Sequence, residues 1–190
     1  MVTILDDIPG DCANHNITDP SDSSPNPDEE SQYYNKVAFL AQLTSSRANF
    51  VPNPEEHLGP FDFSLYALRD FRQAFESTAE PHAPTTTLLR STALWMVYAA
   101  DRLWANVEAN RDHRHKSSNS NPGGAGDAYA KTKKHWVGFN RERWNIWVQG
   151  LRNGVEIGDE ETKGLVKRAL EEVGRVEDQG WRVKDAEKFT

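Results

Sequence analysis

The chain of 190 residues contains one cysteine, Cys12, which excludes an intramolecular disulfide and gives no support to a zinc site built on cysteines. Long apolar runs are also missing, because the longest covers only residues 93–100, whereas a membrane-spanning helix needs about 20 apolar residues. The N-terminus lacks the basic region and the apolar length of a signal peptide. We therefore expect no membrane association and a location in the cytoplasm or the nucleus.

Lysine and arginine are absent from residues 1–35, which carry eight of the 29 acidic side chains. Without this segment the chain has 21 acidic and 22 basic residues, so the net charge of -7 belongs to the N-terminal part. Residues 1–30 are rich in Asp, Ser, Pro and Asn, a composition that cannot bury enough apolar surface to fold. The sequence predicts a disordered acidic tail over residues 1–30.

Strand signals are missing too, because no segment alternates apolar and polar residues over the length of a strand. Apolar residues instead recur at helical spacing, which predicts an all-α fold. We expect one irregular bundle of about five helices over residues 31–178, with a flexible loop at 111–127 and a C-terminal extension at 179–190. The predicted helices cover 31–45, a segment from Asp62 or Ser64 to before Pro81, 86–109 at the core, 128–153, and a last helix capped by Asp159.

Catalytic signatures are equally scarce. No nucleophile elbow occurs, and the glycine run at 123–126 follows no strand and lacks the Lys-Ser/Thr ending of a phosphate loop. Asp112, His113 and His115 lie close together, but in a basic loop without the spacing of a metal site. The sequence therefore predicts no metal and no cofactor.

The most informative segment covers residues 131–151, where Trp136, Phe139, Trp144 and Trp147 fall on one arc of a helix that also holds Asn140 and Arg143. A guanidinium among indoles has two interpretations. In the first, Arg143 forms a structural ion pair with a carboxylate of another helix, such as Asp70 or Asp101.

In the second interpretation, tryptophans enclose an apolar cavity in which a polar group orients a small molecule. His135, at the border of the arc and near Glu142, could add acid–base chemistry. The candidate ligand-binding residues are Arg143, Asn140, Trp95, Trp136, Trp147 and His135.

Residues 111–152 hold nine Lys/Arg against three acidic residues, an excess that could attract an anionic ligand, nucleic acid or the acidic tail. The alternative is that these basic residues only form a solvent-exposed helix face. On the predicted helix the aromatics lie inside the arc, whereas Lys134 and Arg141 lie outside it. One nucleic-acid strand could not easily contact both sets, so the pattern disfavours nucleic-acid binding.

Two segments form recognisable tryptophan motifs. The first is residues 93–100 (ALWMVYAA) followed by Leu103 and Trp104. The second is residues 141–144 (RERW) with Trp147 and the acidic start of the last helix at 159–162. Both segments resemble motifs of a fungal all-helical family of unknown function, domain of unknown function 3632. The similarity covers about residues 60–177. It implies an all-helical intracellular fungal protein and no particular reaction, and such proteins can be encoded near secondary-metabolite genes.

These observations favour a non-catalytic protein that binds an unidentified protein or small-molecule partner. The alternative is an accessory enzyme of secondary metabolism, resembling a cyclase or an isomerase, that acts in the Trp-lined cavity. The two interpretations differ at Arg143: a ligand site requires an adjoining cavity, whereas a direct carboxylate pair without one is structural.

Overall fold

The computed structural model describes residues 27–46, 61–77, 84–113, 121–130 and 135–182. These residues form six helices: α1 (Pro27–Thr44), α2 (Ser64–Phe75), α3 (Thr86–Glu108), α4 (Asp127–Ala130), α5 (Arg141–Gly154) and α6 (Glu160–Gln179). They contain no strand, only an isolated bridge between Asp112 and Gly138. The all-α prediction is confirmed, and the tail prediction lies outside the described residues except for 27–30, which open α1.

Helix α3 is the centre of the bundle and packs against α1, α2, α5 and α6. Its apolar side chains surround the helix, so neighbours on several sides are needed to bury them. Trp95, Met96, Leu103 and Trp104 are all at most 1% exposed. The prediction that this segment forms the core is confirmed.

Charged side chains fasten α6 to α3 at both ends. Near the start of α6, Arg90 of α3 donates to Thr162 Oγ1 at 2.7 Å and to Asp159 Oδ2 at 3.0 Å. Asp159 also caps α6 as predicted, because its Oδ1 accepts from Thr162 N at 2.8 Å. Near the end of α6, Arg175 donates to both carboxylate oxygens of Asp101, at 3.0 and 2.6 Å. These contacts fix how α6 lies along α3.

The prediction of one continuous helix over 128–153 is wrong. Helix α4 is four residues long, residues 135–140 are not helical, and α5 begins only at Arg141. Two backbone bonds hold this stretch against the end of α3: His113 N donates to Val137 O at 2.7 Å, and Phe139 N donates to Arg111 O at 2.9 Å. These bonds require extended backbone. Among the described helices, none is long and apolar enough to cross a membrane.

Candidate functional site

Arg143, in the first turn of α5, is fully buried and has every N–H group occupied. Its Nε and Nη2 donate to Oε1 and Oε2 of Glu76, at 2.9 and 3.0 Å. The other three N–H groups reach backbone carbonyls at 2.7, 2.7 and 3.1 Å, those of Gly123, Gly138 and Gly124. Five donors therefore meet five acceptors, the full capacity of a guanidinium. Burial lowers the pKa of Arg143, and the hydrogen bond and charge of Glu76 oppose that shift.

Glu76 lies at the C-cap of α2, and its carboxylate is as well satisfied as the guanidinium. Besides the two bonds from Arg143, Oε1 accepts from Trp147 Nε1 and Oε2 accepts from Gly126 N, both at 2.8 Å. Each of its two oxygens therefore accepts two hydrogen bonds. The structural interpretation of Arg143 thus describes this geometry, although the partner is Glu76 and not Asp70 or Asp101.

The glycine run at 123–126 belongs to the same assembly. A Cβ at Gly126 would lie 2.5 Å from Glu76 Cβ, and one at Gly123 would lie 2.3 Å from Val137 O. Glycine is needed at both positions because backbone passes where a side chain would sit. This part of the predicted flexible loop is held by Arg143, whereas residues 114–120 lie outside the described residues.

Each of the three candidate tryptophans donates its indole N–H to a different carboxylate. Trp95 bonds Asp70 at 2.8 Å, Trp136 bonds Glu142 at 3.2 Å, and Trp147 bonds Glu76 at 2.8 Å. Trp136 and Trp147 also lie close to Arg143, with ring centroids 5.2 and 5.4 Å from its Cζ. Trp95 belongs to another contact set, that of Asp70, whose pKa is raised by burial.

The two remaining candidate residues lie at the edge of this assembly. Asn140 is the N-cap of α5, and its Oδ1 accepts from Arg143 N at 2.9 Å. His135 is exposed in the non-helical stretch before α5. The structure brings Arg143, Asn140, Trp136 and Trp147 together, and it places Trp95 and His135 outside that group. The role of all six candidate residues in ligand binding stays a prediction.

A groove of about 650 Å³ lies elsewhere, along the outer side of α5. We call it the α5 groove, and none of the six candidate residues lines it. Its lining consists of Phe75, Tyr129, Glu142, Asn145, Ile146, Gln149, Gly150 and Asn153. Asn145, Gln149 and Asn153 are exposed and follow one another at intervals of four residues, so they stand in a row one helical turn apart. Among the described residues, no group of three or more His, Cys, Asp or Glu side chains could hold a metal ion.

The chain matches the model of a known protein family. The family model of domain of unknown function 3632, described as a protein of unknown function, covers residues 4–151. The chain belongs to this family. The match begins before the region predicted from the motifs and ends inside α5, so α6 lies outside it. No curated protein and no solved structure matches the chain.

The description of the family assigns no reaction to its members. The tryptophan motifs that carried the resemblance, at 93–104 and 141–147, form the core and the Arg143 assembly. Sequence reasoning missed the α5 groove, although one signal was available in the spacing of Asn145, Gln149 and Asn153. Polar residues at intervals of four are also typical of any solvent-exposed helix face, so the spacing alone does not indicate a groove.

Proposed function

We propose that the protein is a non-catalytic binding protein, and that its α5 groove takes an extended peptide segment of a partner protein. The proposal is carried by one observation, the row of exposed amides beside an apolar floor. This proposal keeps the hypothesis of a binding partner that the sequence suggested. The proposed binding surface is the α5 groove, on the opposite side of α5 from the tryptophans. Composition supports an intracellular location, and the family resemblance supports a link to secondary metabolism.

The spacing of the amides supports a peptide in extended conformation. Residues four apart on a helix are separated by about 6 Å along its axis, from a rise of 1.5 Å per residue. Alternate residues of an extended chain are separated by about 6.6 Å, from a rise of about 3.3 Å. Three amides in a row can therefore follow three successive peptide groups on one edge of such a segment.

The amide chemistry supports the same occupant. Gln149 Nε2 donates to Asn153 Oδ1 at 2.9 Å, which orients both groups. Gln149 Oε1 and Asn153 Nδ2 take no part in this bond, and both side chains are exposed, so one can accept from a ligand and the other can donate to it. A peptide backbone offers a donor and an acceptor in alternation and can meet both.

The apolar lining and the charge of the α5 groove indicate which kind of peptide it favours. Phe75 and Ile146 are half-buried and lie beside Gly150, where a Cβ would come within 2.3 Å of Phe75 Cδ1. This close approach of α2 and α5 leaves apolar surface for one or two small side chains. Among the eight lining residues Glu142 alone is charged, so charge complementarity favours a neutral or basic peptide.

The accessory-enzyme hypothesis depends on a Trp-lined cavity reached by Arg143. Because all five donors of Arg143 are used internally, a substrate would have to displace Glu76 or a backbone carbonyl. No specific contact favours that hypothesis, and it stays a prediction.

The binding proposal is tested by selecting peptides from a phage library of random 12-residue sequences on the wild-type protein. Selected peptides are synthesised, and their affinities are measured by fluorescence polarisation. We expect Gln149→Ala to weaken binding roughly tenfold, about 1.4 kcal/mol, because it removes hydrogen bonds to the peptide backbone.

Gln73→Ala is the matched control, because Gln73 is an exposed glutamine of α2 outside the groove. It should leave the affinity unchanged. Nuclear magnetic resonance then maps the peptide, with shifts expected at Ile146 and Asn145. Peptides that bind Gln149→Ala and Asn145→Ala as tightly as the wild type would contradict the proposal.

A further inference from the structure

A second cluster of buried polar side chains lies between the start of α2 and the end of α3. We call it the Asp62 cluster, and it consists of Asp62, Arg102, Asn106, Arg111 and His113. The Asp62 side chain is 0% exposed, and its Oδ2 accepts from Arg102 Nε at 2.9 Å and from Arg111 Nη1 at 3.2 Å. Its Oδ1 accepts from Ser64 N at 2.9 Å. The one carboxylate at the centre is therefore fully engaged.

Around this carboxylate, three polar groups have nitrogen atoms without a hydrogen-bond partner in the described part of the chain. Asn106 is 2% exposed and His113 is 9% exposed, and within the described part of the chain neither Asn106 Nδ2 nor His113 Nε2 has a hydrogen-bond partner. Leaving a buried polar group unpaired costs about 1–3 kcal/mol, so native structures usually satisfy it with protein, water or an ion. Arg111 is connected to them, because its Nη1 donates to Asn106 Oδ1 at 3.0 Å.

Arg111 also links the cluster to solvent. Its side chain is 10% exposed, more than those of Asp62 and Arg102, at 0% and 6%. Its Nε and Nη2 have no acceptor among the described residues, so they form the third unpaired donor group. A ligand could reach the cluster from this side and meet a guanidinium first.

The electrostatics of the cluster favour added negative charge. Burial lowers the pKa of Arg111, and repulsion from Arg102 lowers it further. Burial also lowers the pKa of His113 to about 4, with the charges of Asp62, Arg111, Asp112 and Arg102 acting on the ring. Burial is the largest cause of both shifts, and a further anion beside these groups would oppose it.

We propose that the Asp62 cluster binds a small oxyanion, a phosphate or carboxylate group, through Arg111, Asn106 and His113. Oxygen atoms of one such group can accept from Arg111 Nη2, from Asn106 Nδ2 and from His113 Nε2. The complex satisfies three buried or half-buried donors with charge-assisted hydrogen bonds. The site shares no residue with the α5 groove, so it stands or falls independently of the peptide proposal.

The test titrates sodium sulfate against the full chain at constant ionic strength, with sodium chloride as the reference salt. Sulfate keeps its charge between pH 5 and 8, so any pH dependence belongs to the protein. We expect a saturable shift of the His113 ring resonances. The pKa of His113 should rise, because an adjacent oxyanion stabilises the imidazolium, and sulfate should bind more tightly as the pH falls from 7 to 5.

Arg111→Met should weaken sulfate binding at least tenfold. Arg152→Met is the matched control, because Arg152 is an exposed arginine of α5 and its loss changes the net charge equally. Asn106→Asp is a second variant, which places a carboxylate in the site and should abolish binding while the fold is retained. The proposal is overturned if His113 shows no saturable shift, or if Arg111→Met and Arg152→Met weaken binding equally.

Titrations with sodium acetate and with sodium sulfate compare carboxylate with phosphate-like ligands at the same site.

Discussion

The side chains of Arg143 and Glu76 form a two-point ion pair in the interior, with Nε–Oε1 and Nη2–Oε2 distances of 2.9 and 3.0 Å. The pair joins the start of α5 to the end of α2, across 67 residues of sequence. Because Arg143 also donates to three carbonyls, it holds the glycine run at 123–126 and the stretch before α5 in place. Arg143 therefore has a structural role, because its hydrogen bonds hold these segments together in the interior.

Arg143→Met should lower the free energy of unfolding by about 3–5 kcal/mol, because it leaves the buried Glu76 carboxylate without its counter-charge. Urea denaturation followed by tryptophan fluorescence measures the change. Lys163→Met removes an exposed pair with Glu160 and serves as the control, with an expected change within about 0.5 kcal/mol.

The double variant Glu76→Leu/Arg143→Met separates the ion pair from the other hydrogen bonds that the two side chains make. Replacing a buried pair by apolar residues is often neutral. Here three carbonyls would still lose their donor, and Trp147 Nε1 and Gly126 N would lose their acceptor. We therefore expect the double variant to remain at least about 2 kcal/mol less stable than the wild type. Recovery of wild-type stability would show that these hydrogen bonds contribute nothing.

Local signals made α3 and α6 predictable from the sequence. Apolar periodicity and capping residues such as Asp159 act within one or two turns, and both helices lie where these signals put them. The stretch at 135–140 could not be predicted in this way. Trp136 and Phe139 match a helical arc, but the backbone there is fixed by partners at 111 and 113, more than 20 residues earlier.

The same distinction applies to the candidate site. The sequence indicated that Arg143 needs a carboxylate, yet Glu76 follows α2 and reads as an ordinary surface residue. The α5 groove depends on Phe75 and Tyr129 coming beside α5, which only the tertiary packing decides. Residue chemistry was therefore predictable, whereas the pairing of distant residues was not.

Asn140→Ala should cost about 1 kcal/mol of stability, because the cap bond from Arg143 N is lost. Asn140→Asp should keep most of it, since aspartate caps equally well and favours the positive end of the helix. Asn145→Ala, an exposed asparagine within the same helix, is the control and should leave stability unchanged or slightly raised. Equal losses for Asn140→Ala and Asn140→Asp would assign the effect to side-chain packing instead of capping.

Stability should fall as the pH is lowered from 7 to 4, through His113. The unfolded chain takes up this proton near pH 6.5, but the folded chain does so only near pH 4, so the unfolded state binds more protons between these values. The difference amounts to about 3 kcal/mol at most. His113→Phe should remove this part of the slope in urea denaturation at several pH values, whereas His135→Gln, at an exposed histidine, should retain it.

Glycine-to-alanine substitutions should have opposite effects at two kinds of position. A Cβ at Gly138 would lie 1.9 Å from Arg111 O, so Gly138→Ala must push apart the backbone contact that precedes α5. We expect a loss of several kcal/mol, of the size seen for disrupted backbone packing. Gly174 lies inside α6 with no atom within 4 Å of an added Cβ, so Gly174→Ala should raise stability by about 0.5–1 kcal/mol through helix propensity. Thermal unfolding of both variants checks this contrast, together with Gly164→Ala at a second open position in α6. A Gly138→Ala variant as stable as the wild type would mean that the contact between residues 111 and 138 is dispensable.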